Sequence, residues 1–159
     1  MAKANFKTNA MRVLETNKIP YEVYTYESDG DFDGQSVARK IGKDPAQVFK
    51  TLVTVAPSKN YYVFVVPVLH ELDLKKCAKA VGEKTVEMIP VKDINKVTGY
   101  IRGGCSPIGM KKQYITVVDS SCLAFETIVF SAGKIGYQVE MAPKSLLSLI
   151  GAKAEEISR

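Results

Sequence analysis

Two features of the chain have residue types suited to chemistry. The first is the run Gly103-Gly104-Cys105-Ser106-Pro107-Ile108-Gly109. Three glycines and a proline in so short a space cannot build a helix or a central strand, so it reads as a loop held in backbone conformations that most residues avoid. Backbone N–H groups left bare by the missing side chains can, when aimed at one spot, hold a phosphate, a carboxylate or the oxyanion of an attacked carbonyl. A second run of similar character, Ser131-Ala132-Gly133-Lys134-Ile135-Gly136, follows one apolar run later, and the two are expected to share one pocket. For either alone, a hairpin turn that needs glycine only for a positive φ stays open.

The second feature is Lys50, in the first half of the apolar run over residues 48–55. Lysine is among the residues least often buried without a partner or a task. Four roles are open to it: a cation for phosphate or carboxylate, a proton carrier with lowered pKa, a Schiff-base nucleophile, or a side chain snorkelling from a strand that starts later.

Other chemistries find less support. His70 is the only histidine, and nothing around it has the pattern of an oriented base, so no His-based triad is expected. Cys77, Cys105 and Cys122 are odd in number and far apart, which fits neither a disulfide framework nor a zinc cluster. The acidic loop over 27–34 spaces Asp29, Asp31 and Asp33 loosely like a calcium loop. Gly34 falls sixth as an EF-hand requires, but Lys40 falls twelfth, where an acidic residue is needed. No metal and no cofactor is expected, and no glycine-rich turn has dinucleotide spacing.

The net charge of +5 and a pI of about 9.0 suit a polyanion such as RNA without requiring one. No interleaved basic and aromatic motif marks a base-stacking sheet, so sequence-specific reading of a long single strand is not expected. With no apolar run of about 18 residues and no signal-like start, the protein is expected in the cytoplasm and not at a membrane.

The elements that must position these residues follow from periodicity and caps. Thr8 caps a short helix over 9–17, which Pro20 ends. Residues 21–26 alternate as a strand in which Tyr24 and Tyr26 share a face, leaving at least one hydroxyl for a cavity unless it covers the core edge. Phe32 plugs the core or lids a pocket. A helix over 36–41 stops at Gly42, and Asp44-Pro45-Ala46-Gln47 has room for one turn. Strands over 48–55 and 61–68 form a hairpin, Pro67 marking an end or a bulge. Asp73 caps a helix over 74–81 whose outer face carries Lys75, Lys76 and Lys79. Those lysines are the best candidates to touch RNA phosphates, although most such runs are a solvated face. A strand over 86–89, a helix over 90–98 closed by Gly99, strands over 115–118, 127–130 and 137–141, a helix from Pro143 to Gly151 and a polar tail from Ala152 complete the chain. This order predicts a single α+β domain over 1–159, built on one curved, mixed, mainly antiparallel sheet, a partial barrel, flanked by helices.

Taken together, Val48-Phe49-Lys50-Thr51-Leu52, Leu72-Asp73-Leu74-Lys75-Lys76, the run from Gly99 to Gly109 and the run from Ser131 to Gly136 resemble the YbaK/EbsC family. That family is related to the editing domain inserted in bacterial prolyl-tRNA synthetase. The likeness runs nearly end to end and is strongest to the YbaK branch, which removes cysteine mistakenly attached to the tRNA for proline. It implies a free-standing trans-editing deacylase of mischarged Cys-tRNA(Pro), with prolyl-tRNA synthetase as a further partner. Carried over by residue, the family's essential lysine falls on Lys50 with Thr51 beside it, its strand tyrosine on Tyr26, its pocket glycine on Gly103, its second-loop serine on Ser131 and its loop phenylalanine on Phe32. With the loop reading added, Lys50, Gly103 and Tyr26 are expected in catalysis. Thr51, Phe32, Gly104, Ser106, Ser131, Gly133, Gly136 and Gln138 are expected to bind substrate. Gln138 is a departure: similar members have an aspartate there.

The family's proposed chemistry has the substrate's cysteine thiol attack its own carbonyl, closing a thiolactone and expelling the tRNA 3′ end, so no protein nucleophile is needed. The alternatives are a module that binds aminoacyl-tRNA or a nucleotide without chemistry, a Schiff-base enzyme using Lys50, and a deacylase of another specificity such as Ala-tRNA(Pro).

Overall fold

The computed structural model describes residues 7–27, 30 and 33–159; Phe32, Asp29 and Asp31 lie outside them. Local signals set the helices. Thr8 accepts a hydrogen bond from Met11 N–H to start α1 (Asn9–Thr16), which is followed by β1 (Glu22–Thr25). Asp33 accepts from Gln35 and Ser36 N–H at the start of α2 (Gly34–Ile41), two residues earlier than the sequence suggests, and Gly42 ends it at φ 72°. After the turn at 45–47 come β2 (Phe49–Val55) and β3 (Tyr61–Pro67), then α3 (Leu74–Val81), capped by Asp73 as expected. The chain continues through β4 (Glu87–Met88), a 3-10 turn at Val91–Asp93, α4 (Ile94–Thr98) and β5 (Ile115–Asp119). It ends with β6 (Ile128–Lys134), β7 (Tyr137–Met141), α5 (Pro143–Ile150) and β8 (Lys153–Glu155).

The architecture is α+β with mixed, mainly antiparallel strands and flanking helices. The strands divide between two sheets, ordered β1-β7-β6 and β4-β2-β3-β5-β8. A parallel bridge between Val48 and Val129 joins them, with Val129 N–H donating to the Gln47 carbonyl at 3.0 Å. β3 pairs with β5, and β5 with β8, in parallel, which the long helical connections between them permit. The apolar run of β3 is explained by burial on both faces. Val63 and Val65 join Phe49, Val53 and Phe130 in the core between the sheets, while Tyr62, Phe64 and Val66 pack with Cys77 and Ala78 of α3 on the other side. Among the described residues no helix is long and apolar enough to cross a membrane.

Two expectations need correction. The second glycine run is not a loop throughout: Ser131 to Lys134 continue β6 with an irregular register, leaving only Ile135 and Gly136 as the turn. The C-terminal segment is not a free polar tail either. β8 lies along β5, Leu72 bridges Ser158, and Ile157 is fully buried. Charges at Lys153 and Glu155 disguise an edge strand as a tail, a common way to protect an exposed edge.

Asp119 anchors this closure. Its carboxylate, 4% exposed, accepts from Ile157 N–H at 3.0 Å, Ser158 N–H at 3.2 Å, and the N–H and hydroxyl of Ser121 at 3.2 and 2.6 Å. Burial pushes the carboxyl up, but the hydrogen bonds outweigh it and hold its pKa below the ordinary value. A depressed folded pKa means that this stability is fully present above the unfolded value of about 3.9 and is lost as the pH falls through the folded value. Asp119→Ala should cost about 3 kcal/mol in urea unfolding near neutrality and flatten the acid limb of the stability profile. An unchanged midpoint and profile would show the contacts to be incidental.

Candidate active site

The site lies where β2 loses its neighbour. β4 pairs only with Thr54 and Val55, beyond which Ile89 N–H donates to the Val53 carbonyl at 3.2 Å. On the other side, Val68 N–H donates to the Val48 carbonyl at 2.8 Å. In the β2–β3 register this makes the even residues of β2 the pairs hydrogen-bonded to β3,. The odd residues turn their main-chain groups outward, as the Ile89 bond to Val53 attests. Pro67, opposite Phe49, therefore sits where the ladder needs no N–H, and the main chain of Thr51 faces an open edge.

A cleft of about 640 Å³ runs along that edge, a size usual for small-molecule sites. Gly34 and Val37 of α2 form one wall; Met88, Ile89, Val91 and Ile94 form the opposite one. The first turn of α2 can approach only because residue 34 has no side chain, since a Cβ there would lie 2.2 Å from Val68 Cγ1. Arg102, Gly103 and Cys105 reach the cleft from the glycine loop, and Tyr26, Ser131 and Gln138 from the small sheet. Both glycine runs thus contribute to one pocket.

Lys50 is an interior residue of β2, half-buried and lining the cleft, with Nζ 3.5 Å from Glu71 Oε2. Arg159 N–H donates to the Glu71 carbonyl at 3.1 Å, so the C-terminal closure also holds the partner of Lys50. The Tyr26 hydroxyl and Thr51 Oγ1 are buried without a hydrogen-bond partner, and both residues line the cleft. Ser131 and Gln138 are cross-strand neighbours, with Tyr24 across from Gln138 on β1.

Within the glycine loop only part of the main chain is bare. Gly103 has φ 85°, a left-handed conformation that favours glycine, but Gly104 N–H closes a turn onto the Ile101 carbonyl at 2.9 Å. Gly104 packs on the Lys134–Ile135 backbone, and Ser106, fully buried, accepts from Ile108 N–H. Gly133 lies against the Tyr100 ring and Gly136 against the Tyr26 carbonyl. These four shape the loops without lining the cleft. Lys75, Lys76 and Lys79 are on α3 and do not line it either; Lys76 is engaged with Glu156 and the Ser158 carbonyl.

Sequence reasoning assigned no role to Arg102 or to the apolar wall at Met88 and Val91. A cation directly before the pocket glycine was the available signal for the first. For the second there was none, because two exposed apolar residues beside a short strand look like ordinary surface.

Among the described residues there is no protein nucleophile with a base. Burial pushes the Cys105 thiol up to about 11, so it stays protonated near neutrality. Cys77 and Cys122 are buried, and burial pushes them to about 12 and about 11. His70 is exposed on a turn and does not line the cleft. Among the described residues no cluster of three or more His, Cys, Asp or Glu side chains is placed to hold a metal.

An unpartnered buried hydroxyl costs about 1–3 kcal/mol. Tyr26→Phe and Thr51→Val should therefore leave urea stability unchanged or raise it. Thr54→Val, which removes a buried hydroxyl donating to the Tyr62 carbonyl at 3.1 Å, should lower it by about 1 kcal/mol. Equal losses in all three would show that the two cleft hydroxyls are satisfied in the folded protein.

Comparison with known proteins agrees with this geometry. The family model described as the aminoacyl-tRNA editing domain matches residues 32–149. EbsC of Enterococcus faecalis (strain ATCC 700802 / V583), named for an inferred Cys-tRNA(Pro)/Cys-tRNA(Cys) deacylase activity, is 48% identical over 157 residues, covering 98% of this chain and 96% of EbsC. Among solved structures, a candidate trans-editing enzyme for prolyl tRNA synthetase superposes with a TM-score of 0.84 at 24% identity, covering 98% of this chain and 99% of the other. The hypothetical protein APE2540 superposes with a TM-score of 0.88 at 18% identity, covering 96% and 100%. The chain belongs to the aminoacyl-tRNA editing domain family.

Proposed function

We propose that this chain is a trans-editing deacylase that removes cysteine from mischarged Cys-tRNA(Pro), the substrate's own thiol attacking its ester. One observation carries the mechanism: among the described residues, the cleft combines a lysine, glycine main chain and two unpartnered buried hydroxyls, yet offers no nucleophile with a base. The substrate class is supported by EbsC, whose name gives Cys-tRNA(Pro) and Cys-tRNA(Cys). Prolyl-tRNA synthetase, the source of the mischarged species, is the partner this reading implies.

In this mechanism the Lys50 ammonium draws the substrate thiol toward its thiolate, already a few per cent populated near neutrality at an ordinary pKa of about 8.5. The sulfur attacks the carbonyl carbon, a C–S bond forms, and the oxyanion is met by main-chain N–H groups at Gly103 and the open edge of Thr51. The ester C–O bond then breaks. The 3′ oxygen leaves as a hydroxyl, taking the proton the thiol released to water, and the four-membered thiolactone is hydrolysed in solution. Tyr26 and Thr51 hydroxyls orient the ester, and Ser131 and Gln138 contact the aminoacyl group. Because the attack is intramolecular, holding the acyl group bent supplies much of the rate.

Deacylation of Cys-, Ser-, Ala- and Pro-tRNA by the pure protein tests the reading, with release from the cysteine ester alone expected and a thiolactone or its trapped derivative detectable. Lys50→Ala should lower turnover by about a hundredfold or more with little loss of stability, since a partly exposed ion pair contributes at most about 1 kcal/mol. Cys105→Ala should stay within about tenfold, ~1.4 kcal/mol of barrier. Loss of activity in Cys105→Ala, with serine esters cleaved by the parent, would overturn the mechanism.

A further inference from the structure

We infer that the wall of the cleft formed by Met88, Val91 and Ile94 is the seat of the terminal purine base of an RNA 3′ end, and that the RNA backbone leaves over Arg102 and the α4–glycine-loop rim and not over α3. The inference rests on the deacylase reading for the identity of the RNA. Its surface evidence is independent of that reading.

Three observations converge on this rim. Met88 and Val91 are 45% and 56% exposed although they line the cleft, so the wall is an apolar face without a cover, continuous with the place where the ester must lie. A flat base of one nucleoside matches such a face: RNA-binding proteins hold splayed bases by stacking and apolar contact. Charge then selects RNA over an apolar protein partner. Between residues 88 and 112 stand five cations, Lys92, Lys96, Arg102, Lys111 and Lys112, against one anion, Asp93, a net of +4 in a chain whose total is +5. All five cations are exposed. Asp93 is spent on Lys96 at 3.4 Å, and the Asp33 carboxylate in the facing wall is held by the α2 cap. Arg102 both lines the cleft and belongs to this cluster, which places a cation between the base seat and the first phosphates.

α3 offers the contrast. Its lysines are offset by neighbours of opposite sign: from Glu71 to Lys84 there are four cations and three carboxylates, a net of +1. The helix packs against the face of the large sheet that carries Tyr62, Phe64 and Val66, and none of its lysines lines the cleft.

The test uses equilibrium binding of two fluorescent RNA minihelices, uncharged, one ending in CCA and one lacking the final A. The parent should prefer the first by about tenfold, the usual effect of one seated base. Met88→Ser with Val91→Ser, at exposed positions where the fold should tolerate it, should remove that preference and leave binding of the shorter RNA unchanged. Arg102→Ala should weaken both RNAs and reduce the log–log salt slope by about 0.7. Lys75→Ala with Lys79→Ala should change neither. Matching urea midpoints keep the comparison among folded proteins. A parent without preference for the final A, or a loss carried by the α3 pair, would overturn the inference and leave the wall to another partner. The expected binding pattern in a protein that fails to deacylate Cys-tRNA would sink the deacylase proposal alone.

Discussion

Because β4 pairs with β2 only at Thr54 and Val55, the main chain of Thr51 has no strand neighbour on its outer side among the described residues. Buried N–H and C=O groups nearly always find partners, so an edge left open inside a protein must be wet or face a ligand. The remainder of the architecture keeps that edge open without letting it collapse. β3 holds β2 from one side through seven residue pairs, and the Val48–Val129 bridge fixes where the second sheet begins. α2 closes one end of the cleft, where Gly34 lets its first turn rest on Val68. The cleft is the space these three restraints leave between two sheets whose main chains join at the Val48–Val129 bridge.

The small sheet needs its own anchor, since β1 is only four residues long and partly exposed. Glu140 supplies it from β7, two residues past Gln138 and on the same face. Its carboxylate accepts from Tyr24 of β1 at 2.5 Å, from Thr127 just before β6, and from Gln47 at 3.3 Å, and it pairs with Lys43 at 3.2 Å. Burial opposes its charge, but the hydrogen bonds from Thr127, Tyr24 and Lys43 outweigh burial and hold its pKa below the ordinary value. This cluster ties the small sheet to the segment between α2 and β2, hence the wall bearing Tyr26 and Ser131 to the floor bearing Lys50. The sign is that of Asp119: the tie is complete above the ordinary carboxylate range and loosens as the pH falls below it. Acid should therefore loosen both the tie between the cleft walls and the hold on the C-terminal strand.

Much of this was legible in the residues. Caps at Thr8 and Asp73, the hairpin of β2 and β3, and the stops at Gly42, Gly99 and Gly151 are local, and local hydrogen-bond geometry decided them. The convergence of Lys50, Gly103, Ser131 and Tyr26 was legible through the family resemblance rather than through any pattern, because their meeting depends on two sheets packing. What escaped was non-local or disguised. The parallel pairing of β5 depends on partners about fifty residues away in sequence. β8 is hidden by its charges. Gly104 and Ser106 look like cleft residues but are spent inside the loop. The Glu140 cluster draws on residues from Tyr24 to Glu140, individually unremarkable, and its importance exists only in the assembled fold.

The same geometry bears on how a small site of this kind discriminates. A pocket that merely fits the side chain separates compounds differing by a methylene or a hydroxyl by only about 10- to 200-fold, too little to protect a correctly charged tRNA present in excess. If the attacking group belongs to the substrate, the discriminating step is chemical: an ester without a thiol has nothing to close the ring with, however well it fits. The cleft then needs to favour the thiolate, and a positive local field does so. Gln138 fits that demand. An aspartate beside Ser131 would add a negative charge to the cleft that Lys50 and Arg102 also line, whereas a neutral amide keeps hydrogen-bonding capacity without adding one. The carboxylates nearest this wall are already engaged, Asp33 in the α2 cap and Glu140 with Lys43, Tyr24 and Thr127. In the proposed mechanism, Gln138 leaves the cleft without the negative charge that an aspartate would add there.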